Sequence, residues 1–281
     1  MTARLIDNAY GKAEVRLVQV DRSTEPHRIR DLTVETELRG EFTAAYRDGD
    51  NTRVLPTDTM KNTVYALAHQ RGFEPIEAFA HALVERLLHA TSAAEEATVE
   101  VQQHAWAPIR TLGGEPHPRA FQRPETAIRR AVVSGDRDHV EVHAGLGGLR
   151  ILKTSDSGFS DFLHDEFTTL KDASERLLAT DLSAEWAYGT PPADFDATFE
   201  AIRTTLLDRF ADHHSLSVQH TLQRVADAVL DAHPEVEELH LSMPNIHHLV
   251  VDLKSLGLDN PGTLFVATDA PYGVIQGTFA R

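Results

Sequence analysis

The sequence predicts an α+β fold built from one unit used twice. Three observations carry this expectation. Apolar residues alternate with period two in several segments, a pair of helical stripes lies between such segments, and the same order then occurs again. The two units are expected at residues 1–136 and 137–281, with the junction within 134–138.

In chain order, segment 12–20 reads as extended, and Leu32, Val34, Thr36 and Leu38 alternate as a strand. Met60, Val64, Leu67 and Ala68 share one helical face, with Thr57, Asp58 or Thr59 as the cap. After Gly72 a second helix starts near Pro75, a residue suited to a first turn, and turns Ile76, Phe79, Leu83 and Leu87 inward. Val99, Val101, Gln103 and Ala105 alternate next, and 119–134 again reads as extended. In the second half Val140, Val142 and Ala144 alternate before Gly145-Leu146-Gly147-Gly148, and the pattern resumes over 149–152, which predicts a hairpin with a glycine-rich turn. Beyond Pro191-Pro192, Phe195, Phe199, Ile202, Leu206 and Phe210 form a helical stripe. Ser215 is the expected cap of a further helix carrying Val218, Leu222, Val225 and Val229. Strands are expected at 236–242, 247–253 and 264–268, a turn at 244–247, and exposed loops at 111–118 and 187–193.

Composition narrows the chemistry. Hydrophobic residues make up 41% and charged residues 25% of the 281, the mix of a globular chain with a core. A formal charge of −16 argues against sequence-independent binding of nucleic acid or anionic membrane, which depends on excess Lys and Arg. Cysteine is absent, so disulfides, thiolate nucleophiles, Cys-ligated zinc and iron–sulfur clusters are excluded. The opening residues contain no apolar leader, the final residues are not a Ser-Lys-Leu address, and no apolar run is long enough for a membrane helix. A cytoplasmic protein is the expectation.

Few motifs stand out by residue type alone. His213-His214, His247-His248 and the pair His240 and His247 are conceivable metal ligands, yet no His-Glu-x-x-His spacing occurs. Neighbouring residues on a strand face opposite ways, so no metal is expected. Gly-x-Gly-x-x-Gly, Gly-x-Ser-x-Gly and the P-loop are missing, which leaves flavin, nicotinamide and ATP without support. Thr57-Asp58 and Val218-Gln219 sit at helix starts, where free N–H groups favour an anion; the same residues also serve as ordinary caps. Lys12 and Arg176 are, on local pattern, surface cations.

Together, however, several blocks resemble the urate oxidase (uricase) family, in its bacterial type. They are Tyr10-Gly11-Lys12, Thr57-Asp58-Thr59-Met60-Lys61-Asn62-Thr63-Val64-Tyr65, Pro116-His117-Pro118, Leu152-Lys153 through Phe159, Asp165-Glu166-Phe167-Thr168-Thr169-Leu170-Lys171, Ser217-Val218-Gln219 and Pro244-Asn245-Ile246-His247. The resemblance implies the tunnelling fold (T-fold): two tandem antiparallel ββααββ units per chain, with a homotetramer closing a β-barrel tunnel inside a layer of helices. It implies a cofactor-independent oxidation of urate by O2 to 5-hydroxyisourate, with release of hydrogen peroxide.

The roles implied by that resemblance make physical sense. Arg176 offers a planar fork for one polar edge of the purine, and Gln219 offers donors and an acceptor for the other. Phe159 stacks on the ring, the backbone N–H groups of Val218 and Asp58 complete the in-plane bonds, and Leu170 lines the pocket. Lys12, Thr57 and His247 form a proton relay, while Asn245 and Thr57 hold O2 and then peroxide. Lys12 and Thr57 would come from one subunit and Phe159, Arg176, Gln219, Asn245 and His247 from another. Two other readings share the fold. A non-catalytic purine or pterin binder would lack one of Lys12, Thr57, Asn245 or His247, and a cyclohydrolase-like pterin enzyme would need a zinc-binding cysteine.

Overall fold

The computed structural model describes residues 3–124 and 126–281, and these fall into two compact units. The first comprises the chain up to Leu146 together with Thr190–Asp196, and the second comprises Gly147–Gly189 and Ala197–Arg281.

In the first unit, β1 (Tyr10–Asp21) and β2 (Arg28–Gly40) form an antiparallel pair. Beyond β2 come β3 (Ala94–His104) and β6 (Ile128–Gly135), each antiparallel to its neighbour. The helices α1 (Thr43–Asp48), α2 (Thr57–Arg71) and α3 (Ile76–Ala90) lie between β2 and β3 in sequence, and β4 (Ala107–Arg110) and β5 (Pro116–Gln122) make a separate ribbon. The period-two pattern of β2 becomes a wall of Leu32, Val34 and Leu38, all fully buried. Met60 and Val64 of α2 and Ile76, Phe79, Leu83 and Leu87 of α3, the stripes expected from the sequence, are buried as well, with α2 packed on β1 and α3 on β3 and β6. One ion pair is also inside. The Glu77 carboxylate, fully buried at the start of α3, accepts from the Arg129 guanidinium at 2.8 and 3.0 Å.

The strand β7 (Val140–Lys153) starts in the first unit and ends in the second. There, β8 (Leu178–Tyr188) pairs antiparallel with β9 (Val236–Ser242), and β9 with β13 (Gln276–Ala280). α4 (Phe195–Ala211) and α5 (Val218–Ala232) precede β9. Short β10 (Asn245–Ile246) pairs with the start of β8, while β11 (His248–Val250) and β12 (Phe265–Ala267) form a small ribbon around a 3-10 turn at Lys254–Leu256. Along β8 the residues Leu178, Leu182 and Trp186 face the core, where the Trp186 ring lies 5.9 Å from that of Phe199. Setting aside the short additions, the order β1 β2 α2 α3 β3 β6 is followed by β7 β8 α4 α5 β9 β13. The fold is α+β with the ββααββ order occurring twice.

Several local expectations are corrected. Residues 145–148 do not turn; β7 runs straight through them, because only Gly148 takes a positive φ, of 72°, where a two-residue hairpin turn needs a matched pair of turn residues and a returning strand. The N-cap of α2 is Pro56, without a side-chain hydrogen bond, and that of α5 is Ser217 in place of Ser215. Asn245 and Ile246, expected in a turn, are extended and paired with Thr180 and Ala179. The expected loops at 111–118 and 187–193 overlap β5 and the end of β8.

Candidate functional site

In the first unit β1, which carries Lys12, packs on α2, which begins with Thr57 and Asp58, and the charge of Lys12 reaches the Asp58 carboxyl. Gly11 makes this approach possible. A Cβ there would come 1.8 Å from the Thr36 carbonyl oxygen, so only glycine lets β1 lie against β2 beside Lys12. Just after Lys12 the register breaks before Val15, with Glu14 in the left-handed region at φ 56°, a bulge that re-aims the strand. The Leu55 N–H donates to the Tyr10 hydroxyl at 3.0 Å, which ties the approach to α2 to the residue two before Lys12. Thr57 and Asp58 are the first two residues of α2, both exposed, and their N–H groups have no side-chain cap. Hydrogen bonding to the Lys61 ammonium, and less strongly the charge of Lys12, holds the Asp58 carboxyl below the ordinary carboxylate range.

In the second unit a loop and a helix start converge. The Phe159 N–H donates to the Ala173 carbonyl at 2.7 Å and the reverse bond closes at 2.9 Å, so the chain returns on itself between Phe159 and Arg176. The Arg176 N–H then donates to the Ser157 carbonyl at 2.8 Å. This places the Arg176 guanidinium 5.4 Å from the Phe159 ring centre. Arg176 is half-buried, its Nε has no hydrogen-bond partner, and desolvation alone lowers its pKa from the ordinary value. Ser157 bridges to Ser215, two residues before the cap of α5, and so brings Val218 and Gln219 to the same region. Val218 is buried and Gln219 exposed.

Asn245 is held on both sides, paired with Thr180 of β8 and donating its N–H to the Gly273 carbonyl at 2.8 Å. The His247 carbonyl accepts from the Thr268 N–H and hydroxyl at 3.2 and 2.9 Å. Leu170, on the loop joining Phe159 to Arg176, is 60% exposed.

Sequence reasoning missed several groups here. The Phe162 ring lies parallel to Phe159 with centres 4.9 Å apart, and the His164 ring lies 4.8 Å beyond it. Aromatic rings at three- and two-residue steps within a polar loop were the available signal. Behind the start of α5, His213 Nε2 pairs with the Thr221 hydroxyl at 3.0 Å, and Thr221 donates to the buried Ser215 hydroxyl at 2.8 Å. Among the described residues no helix is long and apolar enough to cross a membrane, and no group of three His, Cys, Asp or Glu is placed to hold a metal ion.

Comparison with known proteins gives a consistent result. The model of a family described as Uricase matches residues 8–134 and 142–276. A uricase of Arthrobacter globiformis is 43% identical over 274 residues, covering 98% of this chain and 89% of the relative. A uricase of Dictyostelium discoideum is 38% identical, with 99% and 98% covered. The crystal structure of the Arthrobacter globiformis uricase superposes with a TM-score of 0.93 at 42% identity, over 100% of this chain and 96% of that one.

Proposed function

The chain belongs to the uricase family, and from that premise we propose that it oxidises urate with O2 and water to 5-hydroxyisourate and hydrogen peroxide, a step of purine breakdown. The atoms balance. Urate gains the elements of a hydroxyl at one ring carbon from water and gives up two electrons, and O2 takes those electrons with two protons to leave as peroxide. The substrate is itself the reductant, so in this reading no cofactor is needed as a source of electrons.

One observation of the second unit carries the reading. A half-buried guanidinium without an acidic partner among the described residues stands beside an aromatic ring, an arrangement suited to a flat anion. In this reading Arg176 binds one edge of urate, and Gln219 with the Val218 N–H binds the other. Phe159 stacks on the ring, Leu170 bounds it, and the Asp58 N–H completes the in-plane bonds. Lys12 accepts a proton through the Thr57 hydroxyl, His247 extends the relay, and Asn245 with Thr57 holds the oxygen species.

We place Lys12 and Thr57 on one subunit and Phe159, Arg176, Gln219, Asn245 and His247 on another. The chain then works as a homotetramer of tandem T-fold units, 1–136 and 137–281, with its strands closing a barrel tunnel. The two segments matched by the family model support that division. The absence of nucleic acid or anionic membrane as a partner accords with the charge of −16, and a cytoplasmic location is part of the same reading. Fresh protein in metal-free, flavin-free buffer should consume urate absorbance with equal release of peroxide. No turnover under those conditions sinks the proposal.

A further inference from the structure

We propose that Phe162 is a positioning residue, which backs one face of Phe159 so that the opposite face is held ready for the flat substrate; this rests on the urate oxidase reading. A ring that stacks on a ligand needs its plane fixed in advance, because an immobilised side chain otherwise loses its freedom at the moment of binding. In the second unit the required support is present. Phe162 lies 7° from parallel to Phe159 at 4.9 Å, the offset stacking that aromatic rings prefer. His164 continues the column, 18° from parallel to Phe162 at 4.8 Å. Arg176 approaches Phe159 as well, 5.4 Å from the ring centre. In this proposal a flat anion that pairs with the Arg176 fork lies on the side of Phe159 away from Phe162.

The backbone around Phe162 is shaped for this contact and not for a core. Phe162 is half-buried, between the exposed residues Asp161 and Leu163, the latter 91% exposed. Asp161 adopts a left-handed φ of 56°, and its N–H donates to the Asp172 carboxylate at 3.2 Å. A non-glycine residue held in that region costs energy, and the surrounding structure must over-determine it. Here the result is a loop that folds back to lay Phe162 on Phe159. The Phe159–Ala173 hydrogen-bond pair fixes the other end of the same loop.

The test compares the full chain with Phe162→Leu, which keeps the apolar bulk and removes the plane, and with Phe162→Tyr, which restores the plane. Steady-state urate oxidation gives KM and kcat, and titration with xanthine, a flat purine probe, gives an independent affinity. Phe162→Leu should raise KM and the xanthine Kd together by about two- to tenfold, with kcat unchanged, and Phe162→Tyr should return both to the wild-type values. Unchanged affinities in Phe162→Leu overturn the proposal. So does tighter binding, which would mean that Phe162 covers the ligand's own face. A loss of thermal stability that Phe162→Tyr restores while KM never moves assigns a purely structural role and also overturns it. Should Phe162→Leu not fold, Phe162→Met carries the same expectation. If the wild-type chain neither oxidises urate nor binds xanthine, the functional reading falls and takes this proposal with it, an outcome visible before any variant is made.

Discussion

Replacing Arg176 with methionine should separate binding from stability in opposite directions. The guanidinium is half-buried, has no carboxylate within ion-pair distance among the described residues, and leaves its Nε without a partner. In the free protein it is therefore a desolvated cation that gains little, whereas bound to urate it forms a charge-assisted pair of hydrogen bonds. Each hydrogen bond to a charged group contributes about 1.5–3 kcal/mol, so losing two costs about 3–6 kcal/mol of binding. At 1.4 kcal/mol per decade that is about 10²–10⁴ in Kd. Methionine keeps the apolar stem beside Phe159 and removes the charge. Anaerobic titration with urate, where no O2 is present to react, reads the affinity, and scanning calorimetry of the free protein reads stability. The expected result is binding weakened by at least about two orders of magnitude with the unfolding midpoint unchanged or raised. An affinity loss below about tenfold, or a clear fall in the midpoint, refutes the assignment of Arg176 as an anion clamp held at a cost to the free fold.

Other perturbations test other parts. Lys12→Met should leave anaerobic urate affinity nearly intact and lower kcat by about 10²–10⁴, because it removes a proton acceptor and not the clamp; equal losses in both would show that Lys12 binds and does not relay. Gly11→Ala should destabilise the fold by about 1–3 kcal/mol in urea titration, since its Cβ would meet the Thr36 carbonyl oxygen at 1.8 Å; an unshifted midpoint would mean that β1 can move freely at Lys12. Arg129→Met should cost about 3–5 kcal/mol by stranding the buried Glu77 carboxylate, and adding Glu77→Leu should recover much of it; no recovery would show that shape and not charge governs that site. For pH, burial lowers the pKa of the His213 imidazole, so the unfolded chain binds the proton more readily than the folded one. The stabilisation is present above the unfolded value of about 6.5 and is lost as pH falls toward the folded value. His213→Gln should flatten the melting temperature across that window, and an unchanged slope would place the transition elsewhere.

The four long helices α2, α3, α4 and α5 were legible because their buried faces are long and periodic, whereas α1 buries no residue and left no such stripe. Phe199, Ile202, Leu206 and Phe210, or Val218, Leu222, Val225 and Val229, leave no alternative to a helix packed on one side. β8 was not legible. Its inward positions include Thr180 and Ala184, and Ala179 beside them is buried as well, so the apolar–polar alternation is blurred where the strand is covered most completely. The glycines of β7 misled for a related reason: glycine permits a turn without requiring one. At the site, matching blocks contained Phe159, Gln219 and Asn245, and the resemblance implied Arg176, but periodicity could not show that Ser157 bridges Ser215 or that Phe162 stacks on Phe159. Such contacts depend on how a loop returns, and the returning bonds at Ala173 and Ser157 are between backbone groups, which carry no residue-specific signature.

The charge of −16 sets a physical problem for any site that takes an anion, and the pairing of the arginines resolves it. Several cations of the strands are matched: Arg16 with Asp31, Arg130 with Glu100, Arg150 with Asp181, and Arg129 with Glu77 and Asp196. Matched pairs project little field. Arg176 in the second unit, like Arg30 in the first, has no carboxylate within ion-pair distance among the described residues; its guanidinium stands beside an aromatic ring, and the first turn of α5 contains no acidic residue. At the start of α2, Lys61 neutralises Asp58 locally. Screening at physiological salt confines the global repulsion to roughly 8 Å, while a desolvated cation acts through less water and is screened less. The acidic surface then repels polyanions at a distance, and Arg176 sets the sign of the potential where a small flat anion would bind.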